Sequence, residues 1–178
     1  MNKVELGAGL EVRFAPDDSG TFSGYASVWQ KRDAYGDTIE RGAFAKSLAD
    51  HAAAGSQVLM LRGHDINDVI GVWDSLAEDD VGLKASGRLV LETRSGAETH
   101  ALMKAHAISG LSIGFHPVRT SKQTKGRLVH EINLVEISVV PRPAQHLARI
   151  HAVREQGHPK PFERLAQDIR DLTSKLKV

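Results

Sequence analysis

With 178 residues, 41% of them hydrophobic, the chain can bury one substantial core and is too short for most two-domain enzymes. A formal net charge of +1, with no basic run interleaved with aromatics, argues against a protein that holds nucleic acid by a positive field. The absence of cysteine removes a disulfide frame, a thiolate nucleophile and any cysteine zinc site. Residues 1–10 lack the apolar core of a signal peptide and no apolar run is long enough to span a bilayer, so the expectation is a soluble intracellular protein.

Residues 10–14 and 21–29 alternate in polarity like the two strands of a hairpin, separated by the turn-rich Pro16-Asp17-Asp18-Ser19-Gly20. Phe44 and Leu48, with alanines on the same side, set a helical period over 42–53 that Gly55 can end. Residues 57–61 read as a buried strand, and 69–76 and 83–91 as further strands joined by Glu78-Asp79-Asp80 and broken by Gly82 and Gly87. Ser95-Gly96-Ala97-Glu98 has the spelling of a capping box and opens a helix over 94–107. Residues 127–140 form one long or two short strands, ended by Pro141-Arg142-Pro143. A helix is expected over 144–155 and another from 162, where Phe162, Leu165, Ile169, Leu172 and Leu176 fall on a heptad stripe. That stripe suits either packing on its own domain or pairing with a partner helix. The strands do not alternate regularly with helices. The expected fold is therefore α+β, a mainly antiparallel, barrel-like sheet with flanking helices, as a domain over 10–155 and a helical extension over 156–178.

Gly110-Leu111-Ser112-Ile113-Gly114 carries the G-x-S-x-G spelling. In α/β-hydrolases this marks a strand turning sharply into a helix, but here the helix precedes the serine and extended chain containing Pro117 follows it. An esterase of that type, using His146 downstream, also lacks the length and the strand–helix alternation. A serine within or at the end of a strand remains, in need of a base. His64 sits where 57–61 leaves the core through Arg62-Gly63. Glu136 lies in the apolar run Leu134-Val135-Glu136-Ile137-Ser138-Val139-Val140, where an unpaired buried carboxylate would be costly. Alternation puts it on one face with Leu134 and Ser138, either facing a histidine or arginine or turned to solvent on an edge strand. His130 is the natural third member of a Ser-His-His arrangement. No His-Glu-x-x-His occurs, and the pairs His100/His106 and His146/His151 miss the i, i+4 spacing that would set two imidazoles together for a metal. Phosphate-loop and dinucleotide fingerprints are missing too, so no cofactor is expected.

Several segments together resemble one family. Gly24-Tyr25-Ala26-Ser27-Val28-Trp29, Gly42-Ala43-Phe44, Gly63-His64-Asp65 with Ile70-Gly71, Gly110-Leu111-Ser112-Ile113-Gly114-Phe115, and 134–140 with Pro143-Ala144 are similar, in this order, to the prohead maturation proteases of tailed bacteriophages. The resemblance spans about residues 20–150 of the sequence. It implies an assemblin-like fold, a β-barrel surrounded by helices as in the herpesvirus enzymes, and a triad in the order His, Ser, then an acid or second His. Carried onto this chain, His64 becomes the general base, Ser112 the nucleophile and Glu136 the third member, with Arg142 a helper for the oxyanion. The family likeness further implies a serine endopeptidase inside the assembling procapsid, in the host cytoplasm. It would cleave scaffold or the N-terminal region of the major capsid protein, and itself. The C-terminal helix would be the surface for homo-oligomer or scaffold contact, with neither nucleic acid nor membrane as a partner. The alternative is a non-catalytic scaffold or assembly protein that keeps the fold and acts through that helix.

Overall fold

Strand β7 (Arg127–Val140) organises the molecule, because its apolar run is long enough to accept partners along both edges. The computed structural model describes residues 19–152, and the elements there run β1 (Thr21–Val28), β2 (Asp37–Ile39), α1 (Ala45–Ala54), β3 (Leu59–Arg62), β4 (Val69–Glu78), β5 (Gly82–Leu89), α2 (Arg94–Lys104), β6 (Gly110–Lys122), β7 and β8 (Ile150–Ala152). One edge of β7 takes β2 in parallel at its start and β3 in parallel near its end, while β6 runs antiparallel along the other edge. From β3 the sheet continues antiparallel through β4, β5 and β1 to β8. It then curls back on itself. Arg149 O accepts from Tyr25 N at 2.9 Å on one side, while Leu111 N donates to Ala148 O at 3.0 Å and Ile150 N to Ser109 O at 2.9 Å on the other. The result is a curled, mostly antiparallel sheet, with α1 lying against β7 and α2 against β4 and β5.

Apolar side chains from all around the curl meet inside, including Phe22, Met60, Ile70, Leu83, Leu111 and Ile137, each at most 1% exposed. Phe22 and Trp73 pack edge to face with centroids 5.5 Å apart. Helix α1 has Phe44 at its N-cap and no side-chain cap of its own. Glu78 at the end of β4 supplies one from a distance, accepting from Gly42 N and Phe44 N at 2.9 Å each.

The expected strands over 21–29, 57–61, 69–76, 83–91 and 127–140 and the helix over 42–53 ended by Gly55 are all present within a few residues. Three expectations change. Residues 144–152 form turns and β8 rather than the start of a helix. The backbone of 148–150 instead bridges β1 to β6, and Gly24 permits this because a methyl there would lie 2.6 Å from Ile150 Cα. Sheet closure overrides the weak helical preference of Ala144-Gln145-His146-Leu147. Helix α2 is capped by Thr93, whose hydroxyl accepts from Gly96 N at 3.0 Å, so Ser95 and Glu98 form no capping box. Glu98 turns instead to Arg94 at 2.8 Å and Arg62 at 3.1 Å. Gly82 is the first residue of β5, and Gly87 inside it does not break the strand. Gly87 is a close-packing position, where a methyl would stand 2.8 Å from both Met60 Cε and Trp73 Cε3. The proposed strand over 10–14, and with it the hairpin to β1, and the helical extension over 156–178 lie outside the described residues.

Candidate active site

At the end of β3 the chain enters a sharp turn in which Gly63 and His64 are both left-handed, with φ of 63° and 65°. For a histidine that conformation costs roughly 1–2 kcal/mol, so something must hold it. Two bonds to β7 do so: Gly63 N donates to Val139 O at 3.1 Å and His64 N to Ser138 Oγ at 2.9 Å. The turn swings the imidazole back over β7, where Nδ1 lies 2.7 Å from Glu136 Oε1. The Glu136 side chain is 8% exposed, and its other oxygen accepts from Ser138 Oγ at 2.6 Å. The carboxylate is therefore buried and paired, which decides between the partnered and the solvent-facing alternatives for Glu136. The hydrogen bond to Glu136 raises the His64 pKa above the ordinary histidine value, with burial pulling the other way and charge attraction adding to the rise.

Ser112 is the third residue of β6, which runs on unbroken for ten residues beyond it, and is 5% exposed; this removes the strand–helix elbow and the esterase reading with it. It sits directly opposite Ser138 in the β6–β7 register, and Gly114 sits directly opposite Glu136. Both glycines of the G-x-S-x-G run now have a physical cause. A methyl at Gly114 would overlap Glu136 Oε1 and stand 2.8 Å from its Cδ, so only glycine lets the carboxylate lie across β6 toward His64. A methyl at Gly110 would stand 2.6 Å from Val140 O and 2.7 Å from Pro143 Cδ, so this glycine admits the loop that follows β7. Immediately past Gly114 the register slips by one residue, a bulge of the kind that re-aims side chains beside a site.

A cavity of about 580 Å³ is bordered by Gly63, His64, Ser112 and the loop Pro141-Arg142-Pro143. A second, of about 400 Å³, opens on the other side of Ser112 between Ile39, Leu111, Ile113 and Phe115. Its far wall carries the Asp37–Arg127 pair, joined by bonds of 2.5 and 2.8 Å. Tyr35, 85% exposed, borders both cavities. Ser112 thus stands at the junction of two openings, one of which it shares with His64. No hydrogen bond joins Ser112 to His64, and the engagement of Nδ1 by Glu136 leaves Nε2 as the nitrogen available to the serine.

Residues 9–161 match the family described as Caudovirus prohead serine protease. The chain belongs to that family. A prohead protease of Enterobacteria phage HK97 is 36% identical over 149 residues, covering 81% of this chain and 65% of the relative, so the chain spans under two thirds of that relative's length. The structure of the bacteriophage T4 capsid assembly protease superposes with a TM-score of 0.56 at 14% identity, covering 69% of this chain and 82% of that one, a likeness of fold.

Within this prohead protease family member, the structure brings together His64, Glu136 and Ser112 and adds Ser138, which sequence reasoning placed only on the face of Glu136. His130 goes elsewhere. Its Nδ1 lies 2.5 Å from Glu40 Oε2 and its Nε2 2.8 Å from Ser121 Oγ, toward the other end of the β6–β7 pair. That excludes it as the third member of a site at Ser112. Among the described residues no group of three or more His, Asp or Glu side chains is placed to hold a metal ion, and no helix is long and apolar enough to cross a membrane.

Proposed function

We propose that this chain is a serine endopeptidase of prohead maturation, with Ser112 as nucleophile, His64 as general base and Glu136 as the group that orients and stabilises the imidazole. The observation that carries the proposal is the buried Glu136 carboxylate on His64 Nδ1, beside a cavity that His64 shares with Ser112. With Nδ1–H directed at Glu136, Nε2 is an acceptor for the Ser112 proton. The hydroxyl oxygen attacks the peptide carbonyl, the proton passes to Nε2, and Glu136 stabilises the imidazolium. Collapse of the tetrahedral intermediate returns that proton to the leaving amine. Water then enters by the reverse sequence and releases the acyl group from Ser112.

The oxyanion needs donors, each worth about a hundredfold in rate. Pro141 and Pro143 have no N–H, so Arg142, through its backbone amide or guanidinium, is the member of that loop that can supply one. An assemblin-like barrel fits the curled sheet, and the T4 capsid assembly protease likeness supports the same fold. The substrate in this reading is phage scaffold or the N-terminal region of the major capsid protein, and the chain itself, within the procapsid in the host cytoplasm. Co-expression with the capsid protein of the same phage tests it by intact mass. A shortened capsid protein with the native chain and a full-length one with Ser112→Ala is the expected pair. Equal trimming, or none, in both samples, with shells still forming, would instead favour the non-catalytic assembly role.

A further inference from the structure

We infer that Ser138 is a positioning residue for this site, a single hydroxyl that holds the base and the acid in register with the nucleophile; the inference rests on the protease reading above. The side chain of Ser138 is 0% exposed and borders neither cavity next to Ser112, so it does not reach substrate. Its bonding directions are forced. The backbone amide of His64 can only donate, so Oγ accepts there at 2.9 Å, and its one proton goes to Glu136 Oε2 at 2.6 Å.

The placement makes that oxygen a common anchor. Ser138 is opposite Ser112 on β6 and opposite Leu61 on β3, so the strand carrying the nucleophile and the strand leading to the base both register on it. Through its acceptor lone pair it restrains the left-handed backbone of His64. Through its proton it fixes the rotation of the Glu136 carboxylate, which leaves Oε1 directed at Nδ1. Glu136 Oε2 has no other hydrogen-bond donor among the described residues. Without the hydroxyl the carboxylate loses one of its two fixed points and the turn loses one of two backbone anchors.

The test uses a fluorophosphonate probe, which needs no knowledge of the peptide substrate. The Ser112 oxygen displaces fluoride from phosphorus while its proton passes to His64, so the labelling rate reads the geometry of the relay. For Ser138→Ala, kinact is expected to fall roughly ten- to a hundredfold with KI unchanged, as a small displacement of reacting groups costs rate rather than binding. The acid limb of kinact/KI should also move to lower pH, because a loosened Glu136 no longer raises the His64 pKa as far. Ser138→Cys keeps the shape in a slightly larger side chain with a weaker donor and should fall between the two, which preserves the test should the alanine variant lose its thermal transition. Native kinact with an acid limb that stays or rises, in a folded variant of either kind, would overturn the role of Ser138. Failure of the protease reading looks different: the native chain would then take no label, or its labelling would survive Ser112→Ala and His64→Ala.

Discussion

The strand pair β6 and β7 contributes two members to each of two groupings of serine, histidine and glutamate, the third being His64 after β3 or Glu40 after β2, and the groupings differ in what surrounds them. Ser121, His130 and Glu40 have the more complete set of hydrogen bonds, serine to Nε2 at 2.8 Å and Nδ1 to carboxylate at 2.5 Å. Ser112, His64 and Glu136 lack the serine–histidine bond but have a carboxylate 8% exposed where Glu40 is 49% exposed. They also border a cavity of about 580 Å³, with a second one across the serine. Neither Ser121 nor His130 borders either of those cavities. Hydrogen-bond connectivity is cheap on a surface ribbon, where any exposed serine and histidine at adjacent positions can meet. A carboxylate held out of water, with room for a peptide and a loop that can carry donors, is the harder thing to assemble and the better mark of chemistry.

Breaking each grouping in turn should separate them widely. His64→Ala is expected to lower fluorophosphonate labelling by about a thousandfold or more, as removal of a triad base does, whereas His130→Ala should leave it within about twofold. Comparable losses in both variants would erase the distinction. Glycine replacement sharpens it next. Gly114→Ala places a methyl on the Glu136 carboxylate and should cost roughly a hundredfold in rate, because the acid must move. Gly126→Ala, at φ 92° and against Gly36 at the far end of the ribbon, should lower the melting temperature while the rate per folded molecule holds.

The pH dependence gives a smaller but directional contrast. Because the Glu136 hydrogen bond raises the His64 pKa, the base form of His64 appears only above that raised value, and the rate should climb with pH through a midpoint above that of an ordinary histidine. Glu136→Gln should bring the midpoint down, and Glu40→Gln should not move it. Stability runs the opposite way. The charged pair contributes fully below the unfolded pKa of His64, and that contribution is lost as pH rises through the folded pKa. With His64 44% exposed, solvent screening keeps this term small, so a slight fall in melting temperature at alkaline pH, reduced in Glu136→Gln, is the expected reading of a thermal scan. Least of all, Ser121→Ala and Glu40→Ala should each change stability by under about 1 kcal/mol, measured by denaturant titration, as surface pairs do.

How far the sequence reaches can be seen at the same residues. Strand β7 was legible as an apolar run closed by Pro141 and Pro143, and the alternation that put Glu136 beside Ser138 survives in the structure. Gly55 ended α1 as a residue free to adopt positive φ should. Local pattern could not reveal that Gly114 faces Glu136, since that depends on the register of two strands, nor that Ser138 ties both to the His64 turn. Residues 144–152 failed for the same reason. Their local preference is helical, and only the gap between β1 and β6, built from residues far away in the chain, makes them a bridge. Strand β2 is not legible in the sequence, because three residues carry no period and its place is set by pairing with 127–129. Local spelling does not single out Thr93 as the cap, because Ser95 offers an equally good one just inside the helix that forms.

The most direct test of the account is the location of a covalent mark. The full chain, treated with a fluorophosphonate and digested, should carry the adduct on the peptide containing Ser112, and that adduct should vanish in Ser112→Ala and in His64→Ala. An adduct on Ser121 instead, or labelling of Ser112 that is indifferent to His64, would contradict the assignment of the relay to the buried grouping.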